Sequence, residues 1–286
     1  MGMIAVLGAA GALGGAIVRR LAEEGRHVAA VTRRPQNAFP AGVAVRSADL
    51  FDPVSLAQAF EGAASAILVP GIALSQRAIP ALHHAGVRRI VAFSSHNLSV
   101  SGAGASYQAV AEAEAQVMAS GLSWTILRPT LIYGHPELAA GTALFRMAQR
   151  LPFMVTPGLG LAWQQPIFFE DLARIAVWAV FDEDAPGRVL SVGGPETLRL
   201  RALYSAASRA AGGTGLVIPA PRVLIRLAAR LVGERFPITL EQIARAPKNK
   251  HVLSQEAPDA VRPRIGIKEG FAQLAASLAA CAESNF

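Results

Sequence analysis

The sequence predicts an α/β fold: a doubly wound parallel sheet with a small C-terminal lobe. Three observations carry this. An apolar run, Met3-Ile4-Ala5-Val6-Leu7, leads at once into Gly8-Ala9-Ala10-Gly11-Ala12-Leu13-Gly14-Gly15. Short apolar runs then alternate with helical stretches, the pattern of a parallel sheet wrapped by crossover helices. Finally, 286 residues with 52% hydrophobic content suffice for one large core and a smaller appendage.

The elements follow in order. Residues 3–7 are the first strand, 16–24 a helix, 27–32 the second strand and 43–46 the third. Residues 65–70 (SAILVP) read as a fourth strand, 74–85 as a helix closed by Gly86, and 89–95 (RIVAFSS) as a fifth strand. A helix over 106–120 ends at Gly121, and a sixth strand over 123–127 runs into Arg128-Pro129. No internal repeat or low-complexity linker interrupts the chain. Residues 1–130 are therefore expected to form a nucleotide-binding domain of Rossmann type. Residues 131–286 would supply the remaining sheet elements and a small substrate lobe, in one integrated unit.

A strand that enters closely spaced glycines and then a helix is a phosphate-binding device. The glycines let the backbone approach a pyrophosphate, and the helix N-terminus offers free N–H groups and a positive dipole end. Gly8, Gly11 and Gly14 set the spacing, with Ala10, Ala12 and Leu13 contributing backbone between them. The second strand ends in Thr32-Arg33-Arg34-Pro35. A dinucleotide without a 2′-phosphate usually meets an acid here. Arg33 and Arg34 stand in its place and suit forked bonds to a phosphate, each worth about 1.5–3 kcal/mol. The expected cofactor is NADP(H), with NAD(H) as the alternative.

The G-x-x-G-x-x-G spacing resembles the short-chain dehydrogenase/reductase superfamily in its extended and atypical branches. The resemblance continues through Leu127-Arg128-Pro129-Thr130-Leu131-Ile132-Tyr133-Gly134, through residues 165–173 (QPIFFEDLA) and through Val189-Leu190-Ser191-Val192-Gly193-Gly194. It covers about residues 3 to 212 and is nearest the atypical NAD(P)-binding group, which includes NmrA-like regulators and an accessory subunit of respiratory complex I. It implies that Asp49, with Leu50 beside it, lies near the adenine, and that Arg128 serves packing or a ribose-side contact. It also implies that the lobe comes from inserted segments, about 130 to 167 and 193 onward.

Active members of this superfamily use a Tyr, a Lys four residues later and a Ser or Thr after the fifth strand. The ammonium lowers the tyrosine pKa, and the tyrosine shuttles a proton while hydride moves. By resemblance Tyr107 is that tyrosine, but Ala111 stands four residues on. The only lysines are Lys248, Lys250 and Lys268, so no register shift near Tyr107 supplies one. The fifth strand ends Phe93-Ser94-Ser95-His96, with His96 where the Ser or Thr usually stands. Two expectations stay open. A rewired set of Tyr107, His96 and Ser95 does NADP(H)-dependent oxidoreductase or epimerase-like chemistry on a small molecule, with histidine titrating near neutrality. Alternatively the chain keeps the nucleotide and acts as a non-catalytic regulator or assembly subunit. Glu112 and Glu114 read as a solvated helix face, with Glu114 also within possible reach of Arg128. Glu170 and Asp171 read as an N-terminal helix pair favoured by the dipole.

Composition narrows the partners. The net charge is +7, but its cations are 24 Arg and three Lys, dispersed and without interleaved aromatics, which argues against nucleic acid. No Cys/His cluster has metal-ligand spacing. The single cysteine, Cys281, fits a reducing compartment, so a cytoplasmic location is expected. Residues 1–18 carry no charged side chain, yet Arg19 and Arg20 follow the apolar run rather than precede it, unlike a signal peptide. One segment stands apart. Arg222, Arg226 and Arg230 form a stripe with Leu and Val opposite. Between Pro219 and Lys250 seven cations face two anions. This stretch, Arg222 to Arg235, either packs its apolar face on the lobe or meets an anionic membrane surface or acidic protein.

Overall fold

The structure, a computed structural model, describes residues 2–33, 39–100, 107–233, 240–252 and 256–283. Arg34, Ser106 and Arg235 lie outside the described residues. The chain runs β1 (Met3–Leu7), α1 (Ala12–Glu23), β2 (Val28–Thr32), β3 (Ala44–Ser47), α2 (Pro53–Phe60) and β4 (Ala63–Gly71). It continues through α3 (Ile72–Ser75), α4 (Ile79–His84), β5 (Arg89–Phe93), α5 (Gln108–Met118) and β6 (Ser123–Pro129). The second half holds β7 (Ile132–Tyr133), α6 (Ala139–Arg150), β8 (Met154–Pro157), β9 (Trp163–Gln164), β10 (Ile167–Phe168), α7 (Phe169–Phe181) and β11 (Arg188–Val192). After these come β12 (Leu198–Arg199), α8 (Leu200–Ala210), β13 (Val217–Ala220), α9 (Arg222–Val232), α10 (Leu240–Arg245) and α11 (Ile267–Glu283).

Seven strands pair in the order β11-β6-β5-β4-β1-β2-β3, every pair parallel. Strands buried on both faces need apolar side chains on both, and β1 shows how. Ile4 and Val6 enter the core beneath α1 and α7, while Ala5 and Leu7 enter the core beneath α2 and α4. The strand order reverses between β1 and β4, which opens a crevice at their C-terminal ends. The glycine loop and the ends of β5 and β6 border that crevice.

Several boundaries differ from the sequence expectation, each for a local reason. The helix expected over 74–85 breaks into α3, a 3-10 turn at Gln76–Ala78 and α4, whose first turn carries Pro80, a residue with no N–H to continue a helical ladder. The fifth strand stops at Phe93, because Ser95 caps a 3-10 turn at His96–Ser99 by accepting from Asn97 N at 3.3 Å. Glu114 is buried rather than solvated, held by Arg128.

The lobe is built from two-stranded pairs: β7 with β10, β9 with β12, and β8 with β13. Its helix α9 buries only Ile225 and Ala229, against Ile243, Val155 and Ala220. The C-terminal segment returns to the main core through Phe271 and Leu274. Asp171 anchors that return. It is fully buried in the first turn of α7, accepts from Arg264 N and Ile265 N at 2.9 Å each, and lies 2.9 Å from Arg174 Nη2. This goes beyond the dipole-favoured helix pair read from the sequence. Among the described residues, no helix is long and apolar enough to cross a membrane.

Removing Asp171 takes the acceptor from the Arg264 and Ile265 amides and the partner from the half-buried Arg174. Asp171→Ala should cost about 3–5 kcal/mol in urea denaturation. A loss below about 1 kcal/mol would show that the C-terminal return is held by other contacts.

Candidate active site

The phosphate end is made by backbone. Gly8 turns out of β1 at φ +81, and Gly8 N and Ala9 N donate to Val31 O at 3.0 and 3.2 Å. A Cβ on Gly14 would overlap the Gly8 carbonyl, so only glycine lets α1 press against the loop. Gly11, the N-cap of α1, is different. A Cβ there would meet nothing nearer than Gly8 O at 3.7 Å, so its missing side chain leaves open room rather than relieving a contact. The first turn of α1 has no side-chain cap and no acid. Ala12 and Leu13 thus present helix N-terminal N–H groups and an uncompensated positive dipole end. Leu13 turns its side chain into the core and Ala10 is half-buried. An open cradle of N–H groups at a helix N-terminus fits a pyrophosphate.

Beside it, Arg33 follows β2 and is exposed. Asp49 follows β3, which runs parallel to β2. Its Oδ1 accepts from Phe51 N at 2.9 Å, a local turn leading into α2, and the residue stays exposed. Leu50 packs partly into the core under α2.

The chemical end lies at the C-terminal ends of β5 and β6. A cavity of about 430 Å3 there is lined by Ser95, His96, Asn97, Tyr107, Arg245 and Lys250, among others. Asn97 Nδ2 donates to the Tyr107 phenol oxygen at 2.8 Å. The Arg245 guanidinium stands 4.9 Å from the Tyr107 ring centroid. His96 is buried, and its Nδ1 has no hydrogen-bond partner among the described residues. Burial lowers its pKa below the ordinary histidine value, against a hydrogen bond to the His251 backbone that raises it. Arg128 is tied down: its Nε and Nη2 reach the two Glu114 oxygens at 2.9 and 2.5 Å. Its remaining Nη1 lies 3.5 Å from Ser99 Oγ. A larger groove, about 620 Å3, runs between α2 and α4 on the outer face, away from these groups.

Lys250 is the group that sequence reasoning missed. It comes from far downstream of Tyr107 and reaches the cavity because its segment is laced to the chain before α7. Lys250 N donates to Trp163 O at 2.7 Å, and Gln165 N donates to Lys250 O at 3.1 Å. Burial, helped by the charge of Arg245, pushes its ammonium down to about 8. The one available signal was composition: where 24 cations are Arg and three are Lys, a lysine marks a place for a cation that can lose its proton.

Two pairs of variants test this geometry. Gly14→Ala should destabilise the chain by about 1–3 kcal/mol, whereas Gly11→Ala should stay within about 0.5 kcal/mol of the parent and weaken NADPH binding. Equal destabilisation by both would contradict the cradle. Lys250→Met removes a charge the fold disfavours. Its folded pKa lies below the ordinary lysine value of 10.5, so the cost is present in full below about pH 8 and fades as pH rises to 10.5. The variant should be more stable at pH 7 by up to about 3 kcal/mol, with the gap closing over that window in denaturation curves. Lys250→Arg should show no such gain.

Comparison with known proteins agrees with this geometry. The NAD(P)H-binding family model matches residues 8–146. No curated protein matches the chain by sequence. By structure it is similar to the NADPH-dependent quinone oxidoreductase of Escherichia coli complexed with NADPH, with TM-score 0.77 and 21% identity over 95% of this chain and 99% of that one. It is also similar to the UDP-glucose 4-epimerase of Thermus thermophilus in complex with NAD, with TM-score 0.68 and 19% identity over 97% and 99%. A nucleoside-diphosphate-sugar epimerase of Staphylococcus aureus gives TM-score 0.73 and 17% identity over 95% and 100%. Residues 8–146 therefore match an NAD(P)H-binding family, and over nearly its whole length the chain shares the fold of these solved structures.

Proposed function

We propose that the protein is an NADP(H)-dependent oxidoreductase that reduces a small carbonyl or quinone compound. One observation carries the reading: a single cavity at the ends of β5 and β6 gathers Tyr107, His96 and Lys250. The arginines that follow β2 in place of an acid support NADP(H) over NAD(H). The similar quinone oxidoreductase was solved with NADPH.

When bound, the nicotinamide supplies or takes the hydride; the chain handles the proton. Asn97 donates to the Tyr107 oxygen, which leaves the phenol proton to point into the cavity toward a substrate oxygen. Lys250, titrating near pH 8, is charged at neutral pH and holds a second proton at the same cavity. His96, held below its ordinary pKa by burial, hydrogen-bonds the His251 backbone, and its Nδ1 has no partner among the described residues. Glu114 holds Arg128 behind this group, and Ser95 shapes the turn that carries His96 and Asn97.

The alternative is a nucleotide-binding regulator without turnover. Ala111, where active relatives carry lysine, favours it. Calorimetry with NADPH and NADH, followed by NADPH oxidation with a water-soluble short-chain quinone, separates the two. The oxidoreductase reading expects tighter NADPH than NADH binding and measurable turnover whose rate falls as pH rises through about 8. Lys250→Met should lose about 100-fold in rate and flatten that limb, with NADPH affinity preserved. Tight NADPH binding with no oxidation of quinones, enones or ketones would give the site to the regulator.

A further inference from the structure

We infer that α9 docks the protein on an anionic lipid surface. Viewed down its axis, α9 has three sectors. Ile225 and Ala229 face the lobe and are buried. Arg222, Arg226 and Arg230 recur every four residues, and all three are exposed. Between them lies an apolar stripe that the described residues leave uncovered: Val223 is 72% exposed, Leu224 59%, Leu227 52% and Leu231 79%. Leu216 and Ile218, in the segment leading into α9, are exposed as well.

Single exposed apolar residues are ordinary, but four large ones on one stripe of one helix mark a surface that meets something. Charge decides what. α9 carries three exposed arginines and no acid. Arginines along the edge of an apolar stripe match a bilayer interface, where the Leu and Val side chains enter the acyl boundary and the guanidiniums meet phosphate. An antiparallel two-fold pairing with a second copy fits poorly, because it brings one arginine row against the other. The stripe is on the outside of the lobe, whereas α10 packs on α9 through Ile243 and carries Arg245 to the cavity. Docking through this stripe does not depend on turnover.

Flotation of the full chain with phosphatidylcholine vesicles, with and without phosphatidylserine, tests the inference. The chain should float with the phosphatidylserine vesicles at low salt, and detach in high salt. Arg222→Gln/Arg226→Gln/Arg230→Gln and Leu227→Ser/Leu231→Ser should each cut the bound fraction at least about tenfold. Both sets alter exposed residues, so unchanged circular dichroism and NADPH affinity will show an intact fold. No flotation with phosphatidylserine vesicles overturns the inference. So does flotation that neither variant reduces. If sedimentation instead shows self-association that Leu227→Ser/Leu231→Ser abolishes, without lipid binding, the stripe is a contact between copies.

Discussion

Gln165 is the joint on which the chemical end of the molecule depends. Its side-chain Nε2 donates to Gly194 O at 2.8 Å, and its Oε1 accepts from Val252 N at 2.8 Å. Its backbone N–H donates to Lys250 O, and its carbonyl accepts from Thr130 Oγ1. A buried amide with every group partnered rigidifies what it touches, whereas a partly satisfied one is costly. Here it fixes three stretches of chain: the end of β6, the turn after β11 and the strip bearing Lys250. Trp163 N to Asn249 Oδ1 and Gln164 Nε2 to Lys248 O complete the lacing. Lys250 is held at the cavity by these bonds, and its lowered pKa follows from that placement.

The two ends of the site differ in how they are encoded, and so in how far they are legible. The phosphate end is local. Gly8, Gly11 and Gly14 fall within one strand-turn-helix, so spacing alone foretells the turn, the close approach and the helix start. The parallel sheet is legible for the same reason, since each strand shows as an apolar run. The chemical end is assembled from residues far apart in sequence. Nothing near Tyr107 announces Lys250 or Arg245, and nothing near Asp171 announces Arg264 and Ile265. The pairs β7–β10 and β9–β12 have two residues per strand, too short for any periodicity. Pro80 is visible in the sequence, but the 3-10 turn before it follows from packing that the sequence does not display. The Glu114–Arg128 pairing was within reach of the sequence; the burial of Glu114 was not, because it depends on how α5 lies against β6.

Charge is sorted along similar lines. Arginines that the sequence places at helical spacing end up exposed on α9, keeping charge where water or a charged surface can meet it. The lysine inside the cavity is a cation that burial can bring within reach of neutral pH. The amphipathic pattern of α9 was readable, but the face that stays uncovered was not. Periodicity gives the stripe; only the neighbouring elements determine which sector they cover, and here they cover a narrow edge at Ile225 and Ala229.

The central claim is that a nicotinamide nucleotide binds beside a lysine delivered from the C-terminal segment. With only Lys248, Lys250 and Lys268 in the chain, reductive methylation with 13C yields a lysine spectrum simple enough to assign with Lys250→Arg. The account predicts that the Lys250 resonance titrates near pH 8, below the ordinary lysine value of 10.5, and that NADPH shifts that resonance and its midpoint selectively. A Lys250 resonance that titrates near 10.5, or that NADPH leaves unmoved while binding elsewhere, would contradict it.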